Sequence, residues 1–370
     1  MADLISSVLA GLDIPLMTSI SRFLDSYIIA ILAVFGLAII LLNDRRLRTL
    51  KTRMPTLLVT ALLLFFALQY IKQAIGEPRP CDIIGGLQTD KISSCPSDGS
   101  FPSGHSAAAA LFLPFTLGTP FFIPSFLFYL VVAASRMYLG VHTLQDVMAG
   151  TVLSVIGYFL MDSVIRGEKS FITSGTGKKS IMPLQKERHR QLFHMIVGTA
   201  AMLLFILSDA FGYPEAASLV FFIALLIGML MLNRKLRGKD IPIIDTLIER
   251  LERPGAIPGF GSFWLVTGTL VAFLFIRSGA EVLATLLILT FADSIAPLFG
   301  REGRIRLPYN KGKTLEGTFA FFAVSLASWI FIGTAAIPLA LFLAAVESLP
   351  IRFDDNLLIP AAALLFFSVL

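Results

Sequence analysis

The chain has 370 residues, of which 56% are hydrophobic and only 15% are charged, and its mean hydropathy is +0.80. A soluble domain carries about 25% charged and about 45–50% apolar residues. The composition therefore excludes a disordered chain and a soluble enzyme with a single anchor. The net charge of +5 does not indicate a nucleic-acid partner, because the basic residues stand in short loops between apolar runs, as membrane topology requires.

Apolar runs recur along the whole chain, and they are continuous rather than alternating, which favours membrane helices over a membrane β-barrel. A spanning helix needs about 20 apolar residues. The sequence therefore predicts an all-α polytopic membrane protein with about 12 spans. The runs lie at residues 26–43, 54–71, 104–118, 121–134, 144–162, 193–208, 216–232, 262–276, 281–298, 316–332, 334–347 and 357–370.

Basic residues are distributed unevenly between the two faces that alternating spans create. One face receives 24 of the 30 lysines and arginines, and the positive-inside rule makes that face cytoplasmic. Its loops are 44–53, 166–190, 233–258, 299–314 and the loop that contains Arg352. Because no organelle signal is present, we expect a prokaryotic plasma membrane.

One long polar segment, residues 164–190, is rich in Gly, Ser and Lys. Such a composition is typical of a linker. We therefore predict two helical membrane domains, 1–163 and 191–370, joined on the cytoplasmic side.

Both cysteines, Cys81 and Cys95, fall in the loop 72–103, which this topology places outside the cell. A pair in one loop on an oxidising side predicts a disulfide, worth about 3 kcal/mol in the chain-entropy model. Two unpaired thiols are the other interpretation.

Three short polar patterns stand at the outer ends of predicted spans. They are Lys72 and Arg79 in KQAIGEPRP, Ser103, Gly104 and His105 in FPSGHS, and Arg136, His142 and Asp146 in SRMYLGVHTLQD. Lysine and arginine side chains can surround a phosphoryl group. The N–H groups that begin a helix at Ser103 can meet an anion.

The histidines supply the reactive groups of this pattern. His142 and Asp146 are four residues apart, which puts them on one face if a helix starts there. A carboxylate so placed holds the imidazole tautomer and leaves the other nitrogen free to attack phosphorus. His105 is then available as a general acid for the leaving oxygen.

Residues 72–146 contain the motifs KxxxxxxRP, PSGH and SRxxxxxHxxxD, and the segment of about 26–163 resembles the type-2 phosphatidic acid phosphatase family. The resemblance implies that His142 forms a phosphohistidine, that His105 is the acid and that Asp146 orients the nucleophile. No metal or cofactor is expected at this site, because three cations already supply the charge. The phosphate binders that the resemblance assigns are Lys72, Arg79, Ser103, Gly104 and Arg136.

The second half carries a basic, glycine-containing loop on the predicted cytoplasmic face. Cations with glycines suit a polyphosphate, while Asp293 and Glu316 can hold Mg²⁺ against it. The spacing is not that of a Walker A loop. The same region is also explained by positive-inside topology, with Gly and Thr as helix caps.

Together with ESLPIRFDDNLLIP, which contains Glu347, this region makes residues of about 187–370 similar to dolichol kinase, phytol kinase and related CTP-dependent lipid kinases. The resemblance implies catalysis at Asp293 and a site for CTP with Mg²⁺. It assigns nucleotide binding to Gly300, Arg301, Lys313, Thr314, Glu316, Gly317, Asp355 and Asn356.

The two resemblances together predict a bifunctional membrane enzyme for a carrier lipid. The outer domain would remove phosphate from a polyprenyl phosphate or diphosphate, and the inner domain would phosphorylate a polyprenol from CTP. Two alternatives stay open. One is a glycerolipid enzyme, a phosphatidate phosphatase with diacylglycerol kinase or phosphatidate cytidylyltransferase activity. The other is a lipid phosphate transporter or flippase in which the same residues only bind.

Overall fold

A computed structural model describes residues 4–41, 47–83, 91–92, 95–167, 184–241, 245, 257, 259–351 and 353–369. Of the described residues, 81% are helical, and they contain no β-strand beyond one isolated bridge. The predicted all-α membrane class is confirmed. The chain divides into two compact units, 1–171 and 172–370, so the division falls within the predicted linker. The predicted cytoplasmic Arg352 lies outside the described residues.

The helices of the first unit belong to the described part of the chain and run from α1 to α8. They are α1 (Leu4–Gly11), α2 (Pro15–Leu41), α3 (Arg48–Ile75), α4 (Pro80–Ile83), α5 (Gly104–Ala110), α6 (Phe112–Thr116), α7 (Phe122–Tyr138) and α8 (Leu144–Arg166).

The helices of the second unit continue the numbering. They are α9 (Leu184–Ala210), α10 (Glu215–Leu236), α11 (Phe260–Phe275), α12 (Gly279–Leu287), α13 (Asp293–Glu302), α14 (Leu315–Ser325), α15 (Trp329–Ile332), α16 (Ala336–Ser348) and α17 (Asp355–Val369). A π-helical turn, Ile288–Ala292, joins α12 to α13.

The predicted number of about twelve spans is not confirmed. Within the described ranges, six segments are long and apolar enough to cross a membrane, or seven if the bent pair α1–α2 is one span. The run 104–118 shows one reason for the difference, because it folds into α5 and α6, of seven and five residues. Helices of that length cover about 10 Å, far less than a bilayer.

By length and composition, residues 315–348 count as one apolar segment of 34 residues. They nevertheless form a hairpin, as the two separate predicted runs 316–332 and 334–347 require. An unbroken helix of that length would extend about 50 Å. The Nζ atom of Lys313 instead lies 2.6 Å from Oε1 of Glu347. Gly333, with φ of 55°, lies at the reversal of the chain, between α15 and α16. The fold thus brings both ends of the hairpin to the same end of the unit.

The predicted linker is shorter than expected at its C-terminal end. Residues 184–190 form the first turns of α9. Glu187 explains this difference, because its buried Oε1 accepts hydrogen bonds from Arg190 at 2.6 Å and Gln191 at 2.7 Å. These i,i+3 and i,i+4 contacts stabilise a helical start.

Helix α5 packs tightly on α8 and this contact positions the PSGH motif. A Cβ atom added at Gly150 would lie 2.5 Å from the carbonyl oxygen of Ser103, so only glycine fits there. One turn further along, the hydroxyl of Ser154 donates to the carbonyl of Ala107 at 2.7 Å. The small residues Gly150 and Ser154 of α8 therefore hold the first turn of α5 against that helix.

Candidate active site

The start of helix α8 positions His142 and Asp146. Thr143 is the N-cap, and its hydroxyl accepts from the Asp146 N–H while the Asp146 carboxylate accepts from the Thr143 N–H, which makes a capping box. His142 precedes the helix, contrary to the prediction that both residues share a helical face. The pair forms because the N3 carboxylate turns back toward the loop, where its Oδ2 lies 3.4 Å from Nδ1 of His142.

The two ring nitrogens of His142 face different partners. Nδ1 faces the Asp146 carboxylate, while Nε2 lies 3.3 Å from Nη1 of Arg79. A guanidinium can only donate, so Nε2 accepts and the proton is on Nδ1. Burial, reinforced by the charges of Arg79 and Lys72, lowers the pKa of His142 despite the opposing effect of Asp146. The arrangement gives a neutral imidazole with its Nε2 lone pair beside a cation.

Lys72 and Arg79 meet at a carboxylate that the sequence interpretation did not include. Nζ of Lys72 lies 2.6 Å from Oδ2 of Asp98, and Nη2 of Arg79 lies 2.7 Å from Oδ1. Burial alone would raise the pKa of Asp98, but the hydrogen bonds from Lys72 and Arg79 outweigh it and lower that pKa to about 2. The two cations predicted to hold phosphate are therefore paired with one ionised carboxylate.

A second carboxylate, that of Asp25 in α2, pairs with Arg136, the third predicted phosphate-binding cation. Arg136 is buried, and its Nη1 donates to Asp25 while its Nη2 donates to the carbonyl of Ser21 at 3.2 Å. Nε2 of His105 lies 3.4 Å from the Asp25 carbonyl oxygen. The His105 side chain is 33% exposed, so it is open to a ligand from outside the unit.

The backbone of the PSGH motif is arranged differently from the expectation. The Ser103 N–H donates to the carbonyl of Asp146 at 2.9 Å and is therefore not available to an anion. The Ser103 hydroxyl caps α5 by accepting from the Ser106 N–H. Beside Gly104, an added Cβ would meet no atom within 4 Å. Gly104 is thus the part of the motif that faces open space.

The loop before the PSGH motif is tied down at both ends. Cys81 and Cys95 form a disulfide. Ser100 donates from its hydroxyl to Oδ2 of Asp146 and from its N–H to the carbonyl of Glu77, the latter at 2.8 Å. These contacts hold the segment that carries Asp98 over the cations.

The structure brings together all eight residues of the three predicted motifs and adds four that the prediction missed. Thr143 had a signal in the sequence, because Thr-x-x-Asp before an apolar run is a capping-box pattern. Asp25, Asp98 and Ser100 had none, since only tertiary contacts bring them to the motifs. The missed residues are Asp25, Asp98, Ser100 and Thr143.

In the second unit, residues from three elements converge on Lys313. Its Nζ lies 2.6 Å from Oε1 of Glu347 and 3.3 Å from Oδ2 of Asp355. Burial works against the ammonium, but the Asp355 and Glu347 carboxylates outweigh it and raise the pKa of Lys313. Asp293 lies within electrostatic range of Asp355 and Glu347, and also of Asp354. Lys313, Asp293 and Asp355 thus lie close to one another.

Among the buried polar atoms of this unit that have no hydrogen-bond partner are Oε2 of Glu347 and Oδ1 of Asn356. Both residues are 6% exposed. Buried polar atoms are normally paired. Carboxylate and amide oxygens are ligands that Mg²⁺ accepts. These two oxygens are therefore suited to bind a cation or to accept hydrogen bonds from a ligand.

Other predicted nucleotide residues have local structural contacts. The Glu316 carboxylate accepts from the N–H groups of Arg304 and Ile305, at 2.6 and 3.1 Å for Oε1. No contact of the structure joins it to Asp293, with which it was predicted to share Mg²⁺. Thr314 is the N-cap of α14 and accepts from the Gly317 N–H.

The glycines of this region allow a close helix crossing. A Cβ added at Gly317 would lie 2.9 Å from the Cα of Gly300, so α13 and α14 touch through these residues. Arg301 lies in the last turn of α13 and is exposed. The capping and packing interpretation therefore accounts for Gly300, Thr314 and Gly317 without a ligand.

Comparison with known proteins assigns the first unit. Residues 53–166 match the PAP2 superfamily, and this range contains all eight residues of the three predicted motifs. The chain therefore contains, at residues 53–166, a domain of the PAP2 superfamily. The resemblance of the first half to type-2 phosphatidic acid phosphatases is thus confirmed. The matched range ends at residue 166 and does not bear on the second unit.

Three relatives were found. The uncharacterized protein MJ1137 of Methanocaldococcus jannaschii is 32% identical over 179 residues, which are 47% of this chain and 89% of that protein. A lipid A 4'-phosphatase of Rhizobium leguminosarum is 33% identical over 127 residues, 31% of this chain and 54% of the relative. The Rhizobium etli lipid A 4'-phosphatase is 32% identical over 127 residues and matched over 49% of its length. The chain thus spans about half of each phosphatase. No solved structure matches it.

Proposed function

We propose that the first unit removes phosphate from a membrane lipid through a phosphohistidine on His142. The observation that carries this proposal is the orientation of His142, whose Nδ1 faces Asp146 and whose Nε2 accepts from Arg79. A neutral nitrogen beside a guanidinium is suited to attack a phosphoryl group whose oxygens bind the same cation.

The reaction divides into two displacements. Nε2 of His142 forms a bond to phosphorus while the bond from phosphorus to the lipid oxygen breaks, and His105 gives its proton to that oxygen. His105 then takes a proton from water, the water oxygen bonds to phosphorus, and the phosphorus–nitrogen bond breaks to release inorganic phosphate. Lys72, Arg79 and Arg136 balance the charge of the transferring group.

We propose a polyprenyl phosphate or diphosphate as the substrate, because the predicted function of the second half uses the corresponding alcohol. The relatives named lipid A 4'-phosphatases support the general class of lipid-linked phosphate. Lipid A and phosphatidate are therefore the competing substrates in the test.

The test measures phosphate release by the purified full-length protein from polyprenyl diphosphate, polyprenyl phosphate, phosphatidate and lipid A. We expect His142→Asn to lower kcat by about 10⁴-fold or more, since the covalent route is lost. His189→Asn, an exposed histidine of α9, is the matched control and should keep full activity. Chelation with EDTA should not change the rate, because the three cations supply the charge. Unchanged release by His142→Asn would contradict the mechanism.

A second activity is proposed for the second unit, namely CTP-dependent phosphorylation of a polyprenol. The convergence of Lys313 with Asp293, Glu347 and Asp355 supports it. The unpaired oxygens of Glu347 and Asn356 fit a site that Mg²⁺ would join. Asp293, Glu347 and Asp355 would hold the ion, which supplies charge neutralisation to a nucleotide phosphate. Lys313 would hold the phosphate oxygens.

This second proposal is tested by transfer of label from CTP to polyprenol. We expect label from the γ-phosphate to reach the lipid in the wild-type protein and to be lost in Asp293→Asn, which should keep its phosphatase activity. The control for the charge change is Asp209→Asn, because Asp209 is an exposed acid in the last turn of α9. Transfer of the α-phosphate instead would identify a cytidylyltransferase and refute the kinase.

A further inference from the structure

Asp98 has a position that no motif explains. Its two carboxylate oxygens each bind a different cation, Lys72 through Oδ2 and Arg79 through Oδ1. The same Arg79 guanidinium also contacts Nε2 of His142 at 3.3 Å. The carboxylate therefore lies on the cations that face the attacking nitrogen, where the oxygens of a phosphoryl group would bind.

Burial differs sharply between the partners of this contact. The side chains of Lys72 and Arg79 are 7% and 4% exposed, whereas that of Asp98 is 45% exposed. Two buried cations without a counter-ion would be strongly destabilising. The carboxylate compensates them from the open side of the site, which is the side from which a phosphate must arrive.

The backbone around Asp98 is fixed while its side chain is free to turn outward. The carbonyl oxygen of Asp98 accepts from Nε of Arg79 at 3.0 Å, and a Cβ at Gly99 would lie 2.7 Å from the carbonyl oxygen of Lys72. The neighbouring Cys95 is bonded to Cys81. A phosphate can therefore replace the carboxylate by a side-chain rotation that leaves the loop in place.

We propose that the Asp98 carboxylate competes with phosphate for binding to Lys72 and Arg79. The inference rests on the proposed phosphatase function and adds a residue that sets how tightly the site holds phosphate. When a binding-competent state is only partly populated, the apparent affinity falls by that fraction. Asp98 therefore weakens the retention of inorganic phosphate, the product, and its return to the cations assists product release.

The experiment compares equilibrium binding of inorganic phosphate to the full-length protein and to Asp98→Asn. Removing the charge while keeping the shape should lower the Kd for phosphate by roughly tenfold, because the competing anion is lost. The inhibition constant of phosphate in the turnover assay should fall by the same factor. A merely structural role would weaken phosphate binding instead.

The control is Asp82→Asn in the short helix α4. The Asp82 carboxylate is exposed and accepts the backbone N–H of Arg79 at 3.3 Å. Its substitution removes the same charge but should leave the phosphate Kd within twofold of the wild-type value. An equal effect of both variants would show a general charge effect and overturn the proposal.

Thermal unfolding supplies a second readout that does not need turnover. Asp98→Asn should melt at a lower temperature than the wild type without phosphate, and added phosphate should raise its Tm by more than it raises the wild-type Tm. Asp98→Ser is the second variant. If both variants fail to fold even with phosphate present, the carboxylate is a structural element and the proposal is overturned.

The two proposals fail in different ways. If Asp98→Asn binds phosphate more tightly but the wild type turns over no lipid phosphate, the proposal for Asp98 stands and the proposed phosphatase function is refuted. If the wild type turns over lipid phosphates and Asp98→Asn has an unchanged or weaker phosphate affinity, the phosphatase function stands and the proposal for Asp98 is refuted.

Discussion

The Asp146 carboxylate performs two functions with its Oδ2 atom. It accepts the Thr143 N–H at 2.7 Å as part of the capping box and faces Nδ1 of His142 at 3.4 Å. The cap is worth about 1 kcal/mol to the helix start, and the same contact fixes the carboxylate that orients the nucleophile in the proposed mechanism. Local helix stability and the proposed catalysis therefore depend on one side chain.

The protonation of His142 gives a prediction at the residue scale. Burial, assisted by Arg79 and Lys72, lowers the pKa of His142 below the ordinary value of 6.5. A histidine with a lowered pKa stays neutral until the pH falls below that lowered value. The neutral, attacking form of His142 therefore persists in mild acid. We expect the acid limb of kcat for phosphate release to lie below pH 6.5.

The matched variant for this profile is Asp146→Asn. Asp146 is the group that raises the pKa of His142, so its neutralisation should move the acid limb to still lower pH. The same change should lower kcat by about 10²–10⁴-fold, because the positive charge on the ring is no longer stabilised. A wild-type limb at or above pH 6.5, measured at saturating substrate, would contradict the assignment of a neutral nucleophile.

At the scale of elements, helix ends rather than helix interiors build both candidate sites. Lys72 is in the last turn of α3, Arg136 is in the last turn of α7, and Asp146 is in the first turn of α8. Helix ends carry unpaired backbone groups and point into loops. Polar side chains can therefore gather there without interrupting the apolar surface of a spanning helix.

The bent pair α1–α2 begins before the first predicted apolar run, 26–43, most of which lies in α2. The two helices meet at 111°. Lys91 donates to the carbonyls of Ala10 and Leu12 at the bend, and the Tyr138 hydroxyl accepts the Ile14 N–H at 3.0 Å. These contacts hold α2 so that Asp25 reaches Arg136. A residue outside the matched range 53–166 thus completes the site.

At the scale of the whole molecule, the distribution of basic residues predicts opposite orientations for the two sites. Asp13 lies beside Ile14, which contacts Tyr138 near the first site, and Lys311 lies in the loop before α14; both side chains are exposed. We expect Asp13→Cys in intact cells to react with a membrane-impermeant maleimide and Lys311→Cys to react only after permeabilisation. Labelling of both in intact cells would refute the predicted topology and with it the recycling of a carrier lipid.

Composition and motif spacing determined the membrane class and the first site, because both depend on signals that are local in the chain. Hydrophobic runs must satisfy the bilayer, and the motifs around Lys72, His105 and His142 each lie within a few residues. The family match at 53–166 confirms the family that the motifs indicated, and the roles of the motif residues stay predictions. The assignment of the second half stays a prediction, because its glycines and Thr314 also serve as packing and capping residues.

Only the tertiary structure decided how charges are paired and which apolar runs fold as short helices rather than long ones. Asp25 and Asp98 reach their cations across 111 and 19–26 residues of sequence, and no local pattern encodes such contacts. The runs that became α5 and α6 have the composition of membrane helices but are buried among other helices. Hydropathy records that a segment avoids water, and it does not distinguish lipid from protein as the apolar surroundings.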